Sequence, residues 1–289
     1  MALTTENLNI AGFPNSINLN TAIGVFDSGI GGLTCVSELR KILPCEDIIY
    51  FGDTARIPYG TRSKETVLRY AAQDIAFLKR QGVKIVIAAC GTVSAVSHKG
   101  IAGEDTPFIE VVTPTARAAV AATRNRRVGV IGTSATIRSA AYAKAMRSMV
   151  SDIKVFGNAC PLFVPLVENG YTDRGNNVTE ILVKEYLSPI RAEGVDTLIL
   201  GCTHYPVISD MISDFMGKDV RIISSGKEAA NAAAAKLTQE NLLSQKEEAG
   251  SLRFFVSDDT EQFITNAHAY LGELPEDFES NVTLVNIED

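Results

Sequence analysis

The chain contains a copy of part of itself. The run Lys79-Arg80-Gln81-Gly82-Val83-Lys84-Ile85-Val86-Ile87-Ala88-Ala89-Cys90-Gly91-Thr92 aligns with Arg191-Ala192-Glu193-Gly194-Val195-Asp196-Thr197-Leu198-Ile199-Leu200-Gly201-Cys202-Thr203-His204. In both, a helix-like stretch ends at Gly-Val, a short apolar run follows, and a cysteine stands eight residues after the glycine. A weaker echo links Ile23-Gly24-Val25-Phe26-Asp27-Ser28 with Val128-Gly129-Val130-Ile131-Gly132-Thr133; the two offsets are 112 and 105 residues. Self-similarity of this kind marks a structural unit used twice. Whatever fold the first half takes, the second is expected to take again.

The local pattern says which unit. Apolar runs fit for strands alternate with stretches of helical spacing: Ile23 to Asp27, then Leu33 to Leu43 stopping before Pro44, then Ile48 to Phe51. Ser63 is a suitable N-cap, with Thr66 at N3, for a helix to Gln81 that Gly82 closes. The strand Ile85 to Ala89 then leads to Cys90. In the second half the strands are Val128 to Ile131, Ile153 to Phe156 and Leu198 to Leu200. Its helices are Ile137 to Met149 and Asn177 to Ala192. An Ala-rich helix, Lys227 to Leu243 with Ser225 as cap, is followed by a strand Arg253 to Val256, a helix Thr260 to Leu271 and a strand Val282 to Ile287. Strand–helix alternation predicts parallel sheets with both faces covered. The expected fold is α/β: two similar, pseudo-symmetric domains with central, mostly parallel sheets.

At 289 residues the chain suits one large or two modest domains, and 46% hydrophobic residues supply more than one core. The net charge of −7 comes without any Lys or Arg cluster, which argues against nucleic acid or an anionic membrane as partner. Residues 1–20 are polar, with five Asn and no basic n-region, and are expected to form a loose tail rather than a signal peptide. A cytoplasmic location is the expectation. Five cysteines at 35, 45, 90, 160 and 202, widely spaced and without CxxC, suit neither a disulfide framework nor a zinc site. Each is a small buried hydrophobe or a reactive thiol.

Position separates the two kinds. A lone cysteine in an apolar strand is ordinarily core, and Cys35, Cys45 and Cys160 take that reading. Cys90 and Cys202 stand at equivalent strand ends of a repeat, each with a hydroxyl residue within two positions. In open α/β sheets, ligands bind outside the carboxyl ends of the strands. If the two units face each other, the thiols enter one cleft from opposite walls. Such a pair can remove a proton from one face of a carbon and deliver one to the other. A free thiol ionises near pH 8.5, so a modest shift makes thiolate available. Candidate helpers are Asp27 at the first strand end, Glu168 after Pro165, and His204. The Gly29-Ile30-Gly31-Gly32 turn lacks dinucleotide-fingerprint spacing but could offer backbone N–H groups to a carboxylate at a helix start.

These residues carry a family resemblance. Ile23 to Thr34 (IGVFDSGIGGLT), Tyr50-Phe51-Gly52-Asp53-Thr54-Ala55-Arg56 with Ile57-Pro58-Tyr59-Gly60, Ala89-Cys90-Gly91-Thr92, Ala159 to Glu168 (ACPLFVPLVE), and Leu200 to Pro206 (LGCTHYP) resemble, in order and spacing, the motifs of the glutamate racemases. The likeness runs from residue 22 to 272. It implies reversible conversion of L-glutamate to D-glutamate for bacterial peptidoglycan, with no pyridoxal phosphate, metal or nucleotide cofactor. It implies that Cys90 takes the proton from D-glutamate and Cys202 from L-glutamate, assisted by Asp27, Glu168 and His204. Asp27-Ser28, Tyr59-Gly60, Gly91-Thr92 and Thr203-His204 would line the pocket between the domains. The implied division is a tail 1–21, a first domain 22–114 plus 225–289, and a second domain 115–224; a homodimer is the implied assembly.

One position departs from the pattern. The family usually has Asn where this chain has Gly91. An amide side chain donates and accepts hydrogen bonds, and losing one such bond costs about 0.5–1.5 kcal/mol. Ser224-Ser225-Gly226 also replaces a segment that often holds Asp, from which little is expected. Three other readings stay open at this point. They are a racemase for aspartate or another acidic amino acid, a non-catalytic binding module on the same fold, and a structural or redox role for the cysteines.

Overall fold

The computed structural model describes residues 21–97, 100–103 and 106–287. The tail expected over residues 1–20 lies outside the described residues. The chain runs β1 (Ile23–Asp27), α1 (Leu33–Ile42), β2 (Ile48–Gly52), α2 (Lys64–Arg80), β3 (Ile85–Ala88), α3 (Gly91–Val96), β4 (Phe108–Glu110) and α4 (Val112–Ala122). It continues with β5 (Arg127–Gly132), α5 (Ser134–Ser139), α6 (Ala141–Met149), β6 (Lys154–Ala159), α7 (Phe163–Glu168), α8 (Asn177–Ala192), β7 (Thr197–Leu200), α9 (Ser209–Met216) and β8 (Arg221–Ser224). Last come α10 (Ser225–Gln239), β9 (Leu252–Val256), α11 (Thr260–Leu271) and β10 (Val282–Leu284).

Two parallel sheets result. One has the order β10-β9-β2-β1-β3-β4 and the other β6-β5-β7-β8. The repeat is explicit in the registers. Ile23 sits beside Ile48 and Ile85, and Val128 sits beside Val155 and Thr197. So β2-β1-β3-β4 and β6-β5-β7-β8 are the same arrangement, and β9 and β10 extend the first sheet. Every residue of β1, β2 and β3 is buried, because helices cover both faces. Burying a Val, Ile or Phe contributes about 1.5–3 kcal/mol, so these short strands hold the sheet centres together. The edge strand β6 has no fully buried residue.

Helix ends follow local chemistry. Ser63 Oγ accepts from Thr66 N at 3.2 Å, starting α2 where the sequence placed it. Gly82 and Gly194 take positive φ, 76° and 63°, just past α2 and α8. That left-handed step is nearly strain-free only for glycine, and it turns each helix into its cysteine-bearing strand.

Several elements differ from expectation. The helix expected over 137–149 is two helices broken at Ala140, whose φ is 53°. Thr133 caps the first through its side chain, and Ser139 Oγ takes the N–H of Ala141 at 3.1 Å, restarting the second. The Ala-rich helix stops at Gln239, not Leu243, because Asn241 enters the left-handed region and Leu242 N donates back to Leu237 O at 2.8 Å. Ser225 does not cap that helix; it is its first residue. The last strand ends at Leu284 rather than Ile287. Cys45 is half-buried rather than core, whereas Cys35 and Cys160 are fully buried. No helix among the described residues is long and apolar enough to cross a membrane.

Candidate active site

In each sheet the strand order reverses at its first strand, between β1 and β3 and again between β5 and β7. A crevice opens outside the carboxyl ends at such a point. Cys90 stands two residues past the end of β3, and Cys202 two past the end of β7. Both thiols face a single cavity of about 390 Å³. That lies within the roughly 300–1,000 Å³ of small-molecule sites.

Of the residues singled out from sequence, Ser28, Tyr59, Gly60, Cys90, Gly91, Thr92, Glu168, Cys202, Thr203 and His204 line this cavity. Asp27 does not. It is 1% exposed and sits behind the wall, where Thr203 Oγ1 donates to its Oδ1 at 3.5 Å and Gly29 N to its Oδ2 at 3.1 Å. The glycine turn thus turns its amides on Asp27 rather than on a ligand. The N–H groups of Leu33, Thr34 and Cys35 are also taken, by the carbonyls of Ile30, Gly31 and Gly32. Burial raises the Asp27 carboxyl above its usual range, although His204 and the amides of Gly32, Gly29 and Ser28 pull the other way.

The two thiols have unlike surroundings. Cys90 Sγ donates to Ser28 Oγ at 3.5 Å. Burial, and then the charge of Asp27, push its pKa up to about 12, against the smaller effects of Ser28 and the amides of Val93 and Thr92. Cys90 is therefore held as the thiol, which overturns the expectation of a readily formed thiolate there. Beside Cys202 the arrangement is different. His204 Nδ1 lies 3.9 Å from Sγ, and His204 Nε2 lies 2.9 Å from Glu168 Oε1. Burial alone would lower the imidazole, but Cys202 and Glu168 outweigh it and raise the ring to about 10. The ring is a cation at neutral pH, set between a sulfur and a carboxylate.

Glu168 is the last residue of α7, and its backbone carbonyl accepts from Asn266 Nδ2 of α11 at 3.4 Å. The carboxylate is thereby brought under His204 from a distant part of the sequence. Gly31 closes the other side: a Cβ there would stand 2.4 Å from both Thr203 Oγ1 and His204 Nδ1.

Tyr59 lines the cavity with its hydroxyl turned away. That hydroxyl donates to Asp53 and, at 3.1 Å, to Asp74 Oδ2. Arg56 joins the same carboxylates, Nε to Asp53 Oδ2 at 2.6 Å and a terminal nitrogen to Asp74 Oδ1 at 2.9 Å. Burial, then Asp53, raise Asp74 well above the carboxylate range. This network anchors the segment 57–61 from behind.

Sequence reasoning missed Thr133 and Ser134, which line the cavity from the second unit. Thr133 Oγ1 is 3.0 Å from Thr92 Oγ1, a hydroxyl contact across the cleft. The signal was present in the weaker echo, which aligns Thr133 with Ser28. Cys160 and Pro161 also back the cavity. Among the described residues its wall has no Lys or Arg, so His204 supplies the positive charge.

The sequence profile of the family described as Asp/Glu/Hydantoin racemase matches residues 33–233. A glutamate racemase of Geobacter metallireducens is 47% identical over 252 residues, covering 87% of this chain and 93% of that protein. The crystal structure of a glutamate racemase from Francisella tularensis in complex with D-glutamate has a TM-score of 0.85 and 38% identity, covering 94% of this chain and 99% of that one. The glutamate racemase isoform RacE1 of Bacillus anthracis superposes with a TM-score of 0.85 at 36% identity, over 93% of this chain and 98% of its own. The chain belongs to the Asp/Glu/Hydantoin racemase family and is an amino-acid racemase.

Proposed function

We propose that the chain interconverts L-glutamate and D-glutamate with Cys90 and Cys202 as the two bases, without a cofactor, and supplies D-glutamate for peptidoglycan synthesis in the cytoplasm. The observation that carries the mechanism is the meeting of both thiols in one cavity from equivalent strand ends, with Asp27 behind one and His204 beside the other. In the L-to-D direction the Cys202 sulfur takes the α-proton and becomes a thiol. The Cys90 thiol then delivers its proton to the opposite face and is left as thiolate. The D-to-L direction runs these steps backward, so each turnover exchanges the protonation of the two sulfurs.

Charge placement supports these roles. The His204 cation places positive charge beside Cys202 as negative charge shifts through the site, and Glu168 holds the ring in place. Cys90, kept protonated, is ready to donate in the L-to-D direction. Among the described residues the wall offers the substrate's carboxylates no Lys or Arg, so the hydroxyls of Ser28, Thr92, Thr133, Ser134 and Thr203 and nearby backbone amides hold them. Asp27 acts from behind, through Ser28, Thr203 and the electrostatics of Cys90.

In this reading residues 22–114 with 225–289 form one domain and 115–224 the other, each around one sheet, and the protein works as a homodimer. Incubation with L-glutamate or L-aspartate, followed by chiral chromatography, tests the substrate. Glutamate should approach an equal mixture of enantiomers far faster than aspartate; a clear preference for aspartate would reassign the activity.

A further inference from the structure

We infer that Gly91 is a positioning residue whose missing side chain lets the two cysteine loops close directly on each other. Gly91 follows Cys90 and Gly201 precedes Cys202. A Cβ at Gly91 would stand 2.2 Å from the Gly201 carbonyl oxygen and 3.3 Å from its carbon. The obstacle is backbone, which cannot swing aside as a side chain does.

Neither loop has room to retreat. Gly201 N donates to Ile131 O at 2.8 Å, holding it to the end of β5. Its other side is filled too, since a Cβ there would meet Ile131 O at 2.8 Å and the Tyr142 ring at 3.1 Å. On the Gly91 side, Ala89 N donates to Phe26 O at 2.9 Å, and Ser94 N to Cys90 O at 2.9 Å. Each loop is tied to its own sheet. Any added atom at residue 91 must therefore open the cleft between the units, against the Thr92–Thr133 hydroxyl contact beside it.

The consequence bears on proton transfer. A carbon bound between two thiols must lie within reach of both, so the gap between the loops sets the reaction geometry. Restoring ordinary contact around a new methyl group moves the loops by about 1 Å, and a misplacement of that size costs about a hundredfold in rate. One thiol can still exchange the proton on its own face while the other is too far to complete inversion. Asn at this position adds hydrogen-bonding groups but brings the same Cβ, so it is expected to impair the site.

This inference rests on the two-thiol reading, and α-proton exchange by Cys90→Ser and Cys202→Ser tests that reading separately. The test is racemisation, α-deuterium exchange and thermal melting of the full chain carrying Gly91→Ala or Gly91→Asn. Both variants should melt close to wild type, because Gly91 has ordinary helical φ and the clash lies in the cleft. Racemisation should fall about a hundredfold, with exchange in one enantiomer falling far less, so that the ratio of exchange to inversion rises. Wild-type racemisation by either variant, or a lower KM with Gly91→Asn, would overturn the inference. So would loss of the fold, since the proposal requires that the cleft open before the units unfold.

Discussion

His204 and Glu168, 36 positions apart in the chain, meet through Nε2 and Oε1 at 2.9 Å. The pairing fixes the ring so that Nδ1 faces Cys202, and with Cys202 it raises the ring to about 10 despite burial. His204 is thus protonated in the folded chain up to about pH 10, well above its ordinary value of 6.5. The sign is that of a raised pKa. Its stabilising contribution is complete below about pH 6.5 and is lost as pH rises through about 10.

Activity should follow the same proton. We predict an alkaline limb in kcat/KM near pH 10. Because the two enantiomers have equal free energy, kcat/KM is equal in both directions at every pH, and the limb should appear identically in each. Glu168→Gln removes the negative partner and should move the limb to lower pH. His204→Asn should abolish it. An unmoved limb in both variants would assign it to another group.

Gly31 offers a second test of the Cys202 side. A methyl group there would collide with Thr203 Oγ1 and His204 Nδ1 at 2.4 Å. These groups are wedged between the glycine turn and Glu168, so Gly31→Ala should displace the ring from Cys202. We predict a fall in kcat of about a hundredfold and an alkaline limb moved from its wild-type position, both read from steady-state pH profiles.

The Arg56 network gives a stability prediction. The guanidinium is 7% exposed and both partner carboxylates are fully buried. Arg56→Met leaves two buried acids without their cation and should destabilise the fold by about 3–5 kcal/mol in urea unfolding. Arg56→Lys keeps the charge but cannot bridge both carboxylates in the same way, and should lie between. The KM for glutamate should rise in Arg56→Lys, because Tyr59 and its loop hang on this network.

Much of this architecture can be read in the chain. The repeat at Gly82 and Gly194 placed both cysteines at equivalent strand ends, since a left-handed glycine and an apolar strand are local features. The helices α8 and α11 are likewise local. What escaped depends on distant packing. The short helices α3, α5 and α7 are too brief for a periodic signal; the Thr133 side chain starts α5, and all three border the cleft. Glu168 was singled out, yet its partner and the orientation of Tyr59 are set by contacts across the fold. The Cys90 pKa moved opposite to expectation because burial and Asp27 act in space rather than along the chain.

The two-thiol account itself makes an asymmetric prediction. Cys90→Ser and Cys202→Ser should each abolish racemisation, because a hydroxyl is a far weaker acid than a thiol and, staying un-ionised, a far weaker base than a thiolate. Each variant still keeps one thiol facing one side of the α-carbon. Exchange of the α-proton should therefore survive for one enantiomer only, and for opposite enantiomers in the two variants.

The most direct measurement is the wash-in of solvent deuterium at the α-carbon of L- and D-glutamate, followed by proton NMR for wild type, Cys90→Ser and Cys202→Ser. Wild type should incorporate deuterium from both enantiomers with inversion. Cys90→Ser should exchange only L-glutamate and Cys202→Ser only D-glutamate, neither with inversion. Inversion by either single variant would contradict the account of one thiol on each face.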